Sequence, residues 1–152
     1  MKLFGSLMLL VCAPLAMAAN GGGYPTERVT EFVVESLDVT TLPEALRPKH
    51  EKGKKTFGDY GFVVQKVEDN KSIIESPKGE ARFSLKVLQQ SDSGIYACMA
   101  QASKDGNAAS FQRVVLLKRH HANELLKGRE AFREFNGCPV IGGVDTGSSY
   151  GD

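Results

Sequence analysis

Hydrophobic and polar positions divide the chain into an apolar leader, a polar and irregular stretch, and a long series of short alternating runs. Residues 3–15 are apolar apart from Gly5, Ser6 and Pro14; Lys2 precedes them and Ala16-Met17-Ala18 follows. A basic start, an apolar centre and small residues at the end are the pattern of a secretory leader, with cleavage expected before Ala19. The apolar run is too short to span a hydrocarbon core of about 30 Å as a helix, which takes about 20 residues. The domain plan read from this is a signal peptide at 1–18, one exported domain at 19–141 and a disordered Gly/Ser-rich tail at 142–152.

After the leader, Val29, Phe32, Val33, Val34 and Leu37 stand among polar residues and predict a first strand over 28–37. Thr41-Leu42-Pro43-Glu44 has the form of a capping box, with Pro43 suited to a first helical turn, and Pro48 ends whatever starts there. A polar loop follows over 49–59. From residue 60 onward, β-branched and aromatic residues cluster in runs at 60–67, 71–76, 81–88, 95–102 and 109–118. The joints between them, Glu68-Asp69-Asn70, Ser76-Pro77-Lys78-Gly79 and Lys104-Asp105-Gly106-Asn107, have turn chemistry. Connections this short favour antiparallel neighbours. Phe83, Leu85 and Val87 alternate with Arg82, Ser84 and Lys86, which marks a sheet with one wet face. Val114 to Leu117 is apolar on both sides, so that strand is expected to be central or covered. A helix is predicted over 123–135, because Leu125, Leu126, Phe132 and Phe135 share half of a helical wheel and Asn136-Gly137 suits a stop. The predicted fold is therefore α+β: an antiparallel meander of about five to six strands with one C-terminal helix packed on it.

Charge narrows the partners. Without Lys2 the basic and acidic counts are equal at 18, so the exported chain has no global pull toward nucleic acid or an anionic membrane. Neither nucleic-acid binding nor membrane insertion is expected. Cys12 departs with the leader, leaving Cys98 and Cys138 as an even pair in an oxidising compartment. A disulfide between them is expected. It would close a loop of about 40 residues, worth about 4 kcal/mol in the chain-entropy model. The expected location is periplasmic or secreted. Asn70-Lys71-Ser72 is a glycosylation sequon that would be used in a eukaryotic secretory route.

Little in the sequence points to chemistry. His120-His121 followed by Glu124 resembles a metal-ligand cluster, since positions 120 and 124 would share a helix face, but no further ligand joins that pair at a recognisable spacing, and they read better as surface residues in a connection. The one G-x-S-x-G match, Gly147-Ser148-Ser149-Tyr150-Gly151, lies in the Gly/Ser-rich tail with no predicted strand before it or helix after it, and both mature cysteines are taken by the disulfide. Neither a metal nor a cofactor is expected, and the chain reads as non-enzymatic. Lys49, Lys52, Lys54 and Lys55 form a basic run that could dock an acidic partner. Ser91-Asp92-Ser93-Gly94-Ile95-Tyr96-Ala97-Cys98 resembles the D-x-G-x-Y-x-C corner of immunoglobulin domains. That resemblance implies a two-sheet sandwich, with Tyr96 as the corner tyrosine and Cys98 as the second bridging cysteine. The first bridging cysteine has no counterpart between Ala19 and Ala97, and the chain has no tryptophan. By elimination, the expectation is a small exported protein that binds another protein, as an inhibitor of a hydrolase or an immunity protein against a toxin would. The alternatives are an immunoglobulin-like adhesion or receptor module and a small secreted hydrolase with a dispersed site.

Overall fold

The first regular element is a helix where a strand was expected. The structure, a computed structural model, describes residues 23–66, 71–102 and 109–142; the leader, the sequon at Asn70, the turn at 104–107 and the tail beyond residue 142 lie outside them. Helix α1 is Val29–Ser36, and Thr30, Val33 and Val34 are its buried residues. With Leu37, these positions follow the i, i+3, i+4, i+7 spacing of one helix face. The β-branched residues that suggested a strand carry only a weak preference, and burial of that face overrides it.

Seven strands follow: β1 (Leu37–Asp38), β2 (Val63–Lys66), β3 (Lys71–Glu75), β4 (Arg82–Ser91), β5 (Gly94–Ala102), β6 (Ala109–Lys118) and β7 (Leu126–Glu130). They form one sheet in the order β1-β7-β6-β5-β4-β3-β2. Neighbours from β2 to β7 are antiparallel, and β1 joins β7 in parallel, so the sheet is mixed. The expected fold is corrected accordingly. The molecule is mostly β, a seven-stranded half-barrel with 13% helix and, among the described residues, a single helix of seven or more residues, and that helix lies at the opposite end of the chain from the one predicted.

The stretch read as the C-terminal helix is instead strand β7 and an extended segment. Leu126 and Gly128 are buried, whereas Lys127 and Arg129 are exposed, an alternation with the period of a strand. Gly128 decides the matter. It is a poor helix former, and as strand it lies against the segment crossing the inner face, where a Cβ would come within 2.5 Å of Leu42 Cδ2. Phe132, counted toward the helix's apolar face, is 97% exposed.

The inner face of the half-barrel is filled by α1 and the segment 39–62. Val33, Leu37, Leu46, Phe57, Ile74, Leu85, Met99, Leu117 and Leu126 are fully buried there. Phe57 packs against Phe62 and Phe83, each at 5.4 Å between ring centroids. A second, smaller cluster covers the outer face. Cys98 and Val114 point outward, and Ala131, Phe135 and Cys138 of the C-terminal segment pack over them and Tyr96. The Cys98–Cys138 disulfide is formed, with Cα atoms 5.7 Å apart. Val114 to Leu117 is thus covered on both sides as expected, but its outer cover is extended chain rather than a helix.

The segment Ser91 to Cys98, which resembled an immunoglobulin corner, is a β-hairpin. Ser91 pairs with Gly94 across a two-residue turn. Gly94 has φ 143°, and a Cβ there would lie 2.8 Å from the Leu117 carbonyl oxygen. The bond from Cys98 runs downstream to Cys138, and the strands form one sheet, not two packed sheets. The sandwich implied by the resemblance is not the fold.

Candidate partner-binding cleft

Between β1 and β2 the chain must cross from one edge of the sheet to the other, and residues 39–62 make that crossing in short turns. Asp38 caps the first, a 3₁₀ turn at Val39–Thr41, with Oδ1 accepting from the Thr40 amide at 3.1 Å and the Thr40 hydroxyl at 2.6 Å. Thr41 does not serve the capping box read from the sequence. Its hydroxyl donates to the Asp38 carbonyl (2.6 Å) and accepts from the Gly128 amide (2.8 Å), which ties the crossing to β7. A second 3₁₀ turn, Glu44–Leu46, drives Leu46 into the core with no exposed surface. The return passage is fixed by a reciprocal turn. Asp59 accepts from the amides of Lys55 (2.9 Å) and Thr56 (2.8 Å), and the Thr56 hydroxyl accepts from the Asp59 amide (3.1 Å). Those two amides, that of Lys55 foremost, hold the Asp59 carboxyl below its ordinary value. The turn buries Phe57, and the Val39 amide donates to the Lys55 carbonyl at 2.8 Å, closing the two passages against each other.

What remains open between the passages is a cleft of about 470 Å³ lined by Val39, Thr40, Glu44, Arg47, Pro48, Lys49, His50 and Tyr60. Arg47 reaches across to the Thr40 carbonyl at 3.3 Å. Tyr60 accepts from the Glu51 amide at 3.1 Å, so its ring is held at the cleft wall. The four lysines nominated from the sequence are not gathered in one place. Lys49 lines the cleft. Lys54 is committed elsewhere: it pairs with Glu51 at 2.7 Å and lies 5.1 Å from the Tyr60 ring centroid. Lys52 and Lys55 are exposed outside the lining. The sequence reading missed Arg47, His50 and Tyr60, which the Val39–Lys55 closure brings to Lys49. Arg47-Pro48 was the available signal, since the residue before a proline is pushed to extended backbone.

His120 and His121 are exposed in the β6–β7 connection, with no helix to place His120 and Glu124 on one face. Among the described residues no three His, Cys, Asp or Glu side chains group as a metal site. The disulfide is compatible with an extracellular or periplasmic location, and no helix among the described residues is long and apolar enough to cross a membrane. Compared with protein-family models, curated proteins and solved structures, the chain gives no match.

Proposed function

We propose that this chain is a small exported binding protein that acts by contact with another protein, in the manner of an inhibitor or a toxin-neutralising immunity protein. The cleft at residues 39–60 receives an acidic segment of that partner. The observation that carries the reading is the lining: Arg47 and Lys49 with His50 and a fixed Tyr60 around one open cleft of about 470 Å³. Arg47 and Lys49 attract a carboxylate-bearing peptide, and the Tyr60 ring in the same lining gives it an apolar surface to lie on. Glu44, also in the lining, repels acids from its part of the cleft and so biases the peptide's orientation. Export is supported by the leader-like residues 1–18 and by the disulfide, which persists in oxidising compartments.

The test is fluorescence anisotropy with a labelled poly-glutamate peptide. The native protein is expected to bind, with affinity falling as salt rises. Arg47→Glu/Lys49→Glu is expected to weaken binding by roughly a hundredfold, two reversed charges each contributing about a factor of ten. Binding that is absent in the native protein, or undiminished in the double variant, overturns the assignment.

A further inference from the structure

The outer face of the β6–β7 hairpin carries a charge arrangement that does not serve stability. The register sets Lys118 directly opposite Lys127 and places Arg129 opposite Leu116. Like charges directly opposite on one face of a sheet repel. Lys127 and Arg129 are two residues apart on β7, hence on the same face and about 6.7 Å apart along the strand. With His120 and Leu116 they line a shallow pocket of about 230 Å³, and no carboxylate lines it. The neighbouring acids are engaged elsewhere. Glu130 pairs on the inner face with Arg113 at 2.9 Å. Asp38, the strand neighbour of Lys127 on β1, has Oδ1 taken by Thr40. The basic surface continues onto the C-terminal segment, where Arg133 lies over the rings of Tyr96 and Phe135 at 5.5 and 5.0 Å. Tyr96 is the β5 neighbour of Leu116, so this cation extends the same face. Beside it in the chain, Phe132 stands 97% exposed.

We infer that this face binds a sulfated polysaccharide, with Lys118, Lys127 and Arg129 holding the sulfate groups and Phe132 meeting the apolar face of a sugar ring. Two lysines and an arginine lining one pocket, with no carboxylate among its described lining residues, match an oxyanion rather than a zwitterionic peptide. Cations spread along a strand and across its neighbour match a ligand whose charges repeat along a chain. The exposed aromatic supplies what a bare inorganic anion would not use. The choice of a sulfated glycan among polyanions rests on the export proposed above.

The experiment is calorimetric titration of a heparin-derived oligosaccharide into the native protein, Lys118→Glu and Lys78→Glu. Lys78 is exposed on the turn after β3, so its reversal matches the charge change away from the site. The native protein is expected to bind, Lys118→Glu to bind roughly tenfold more weakly or worse, and Lys78→Glu to bind as the native protein does. The melting temperature of Lys118→Glu is expected to be equal or higher, because opposite charges then face each other at Lys127. Retained heparin affinity in Lys118→Glu overturns the site, and equal loss in Lys78→Glu reduces it to net charge. Equal affinity for single-stranded DNA of matched charge overturns the assignment to a sulfated sugar. The poly-glutamate test with Arg47→Glu/Lys49→Glu addresses the cleft alone, so either reading can fail without the other.

Discussion

Breaking the Cys98–Cys138 bond should release the C-terminal segment before anything else. The bond spans a sequence separation of 40, and closing a loop of that length in the unfolded chain corresponds to about 4 kcal/mol of stability in the chain-entropy model. For a domain of this size about 4 kcal/mol is roughly 10–15 °C in melting temperature. The segment keeps other anchors when the bond is lost. The Ala131 amide donates to the Val114 carbonyl at 2.8 Å, and Gln112 and Ile141 exchange backbone hydrogen bonds of 2.8 and 3.2 Å. Gln112 Nε2 donates to the Pro139 carbonyl at 2.8 Å, and Arg113 Nη1 to the Ile141 carbonyl at 2.7 Å. Straight pairing along β7 would run out near Gln112, yet the chain returns there only at Ile141, having looped over the outer face between. The loop is therefore held at both ends by hydrogen bonds and in its later half by the disulfide. Reduction, and separately Cys138→Ser, should speed hydrogen exchange first at the Ala131, Cys138 and Ile141 amides, well before those of β4 and β5. Calorimetry with and without reductant, paired with exchange read by mass spectrometry, checks both parts. An unchanged melting temperature refutes the entropic argument. Exchange that rises evenly through β4, β5 and the segment refutes the claim that the segment is a separate unit.

Two further outcomes follow from the inner face and the cleft. Gly128→Ala should destabilise by about 1–3 kcal/mol by overpacking, since the added Cβ falls 2.5 Å from Leu42 Cδ2 and 3.4 Å from Leu117 and Val115 side-chain carbons; urea denaturation checks it, and Leu42→Val in the same chain should recover part of the loss. Asp59 titrates below its ordinary 3.8 because the amides of Lys55 and Thr56 favour its carboxylate, so its contribution is present above that value and lost as pH falls through the lower, folded one. The stability gap between the native protein and Asp59→Asn should therefore be full near about pH 6 and shrink progressively below about pH 4; a gap that widens on acidification contradicts the assignment.

The parts of the fold that were legible are those specified by neighbours in sequence. The runs at 71–76 and 81–88 became β3 and β4 because Ser76-Pro77-Lys78-Gly79 makes the turn between them and alternation fixes which side is wet. The disulfide followed from counting cysteines in a chain whose first residues read as a secretory leader. Two elements were misread, the first because residue type was weighed above spacing and the second because spacing was taken over too long a window. Val29 to Val34 looked like strand by composition, although Thr30, Val33, Val34 and Leu37 carry helical spacing. Residues 126–130 looked helical on a wheel drawn over a longer window, although buried and exposed positions alternate within it and Gly128 argues against a helix. The sites were less legible because both depend on pairings between distant residues. Lys49 was visible as charge, but its meeting with Arg47 and Tyr60 needs the Val39–Lys55 hydrogen bond. Lys118 and Lys127 face each other only once β7 is known to be a strand in that register.

A half-barrel invites the thought that a ligand sits in its cup, and the packing argues against it here. Phe57, Leu46, Leu37 and Met99 fill the inner face with no exposed surface, and they arrive there from three different elements and a loop. Admitting even a small ligand would mean displacing a side chain such as Phe57, whose burial against Phe62 and Phe83 stabilises by about 3–5 kcal/mol judged by the usual loss on truncation to alanine. Few small ligands offset a penalty of that size with contacts in the same space. The two proposed binding surfaces accordingly lie at the rim and on the outer face, where the chain is held in shape without being covered. At the rim, the cleft owes its form to turns capped by Asp38 and Asp59 and to the packing of Val39 and Tyr60 against the core. On the outer face, the β6–β7 hairpin is held by its backbone ladder while its outward side chains repel one another. In both places the core supplies the rigidity and leaves the surface chemistry free to suit a partner.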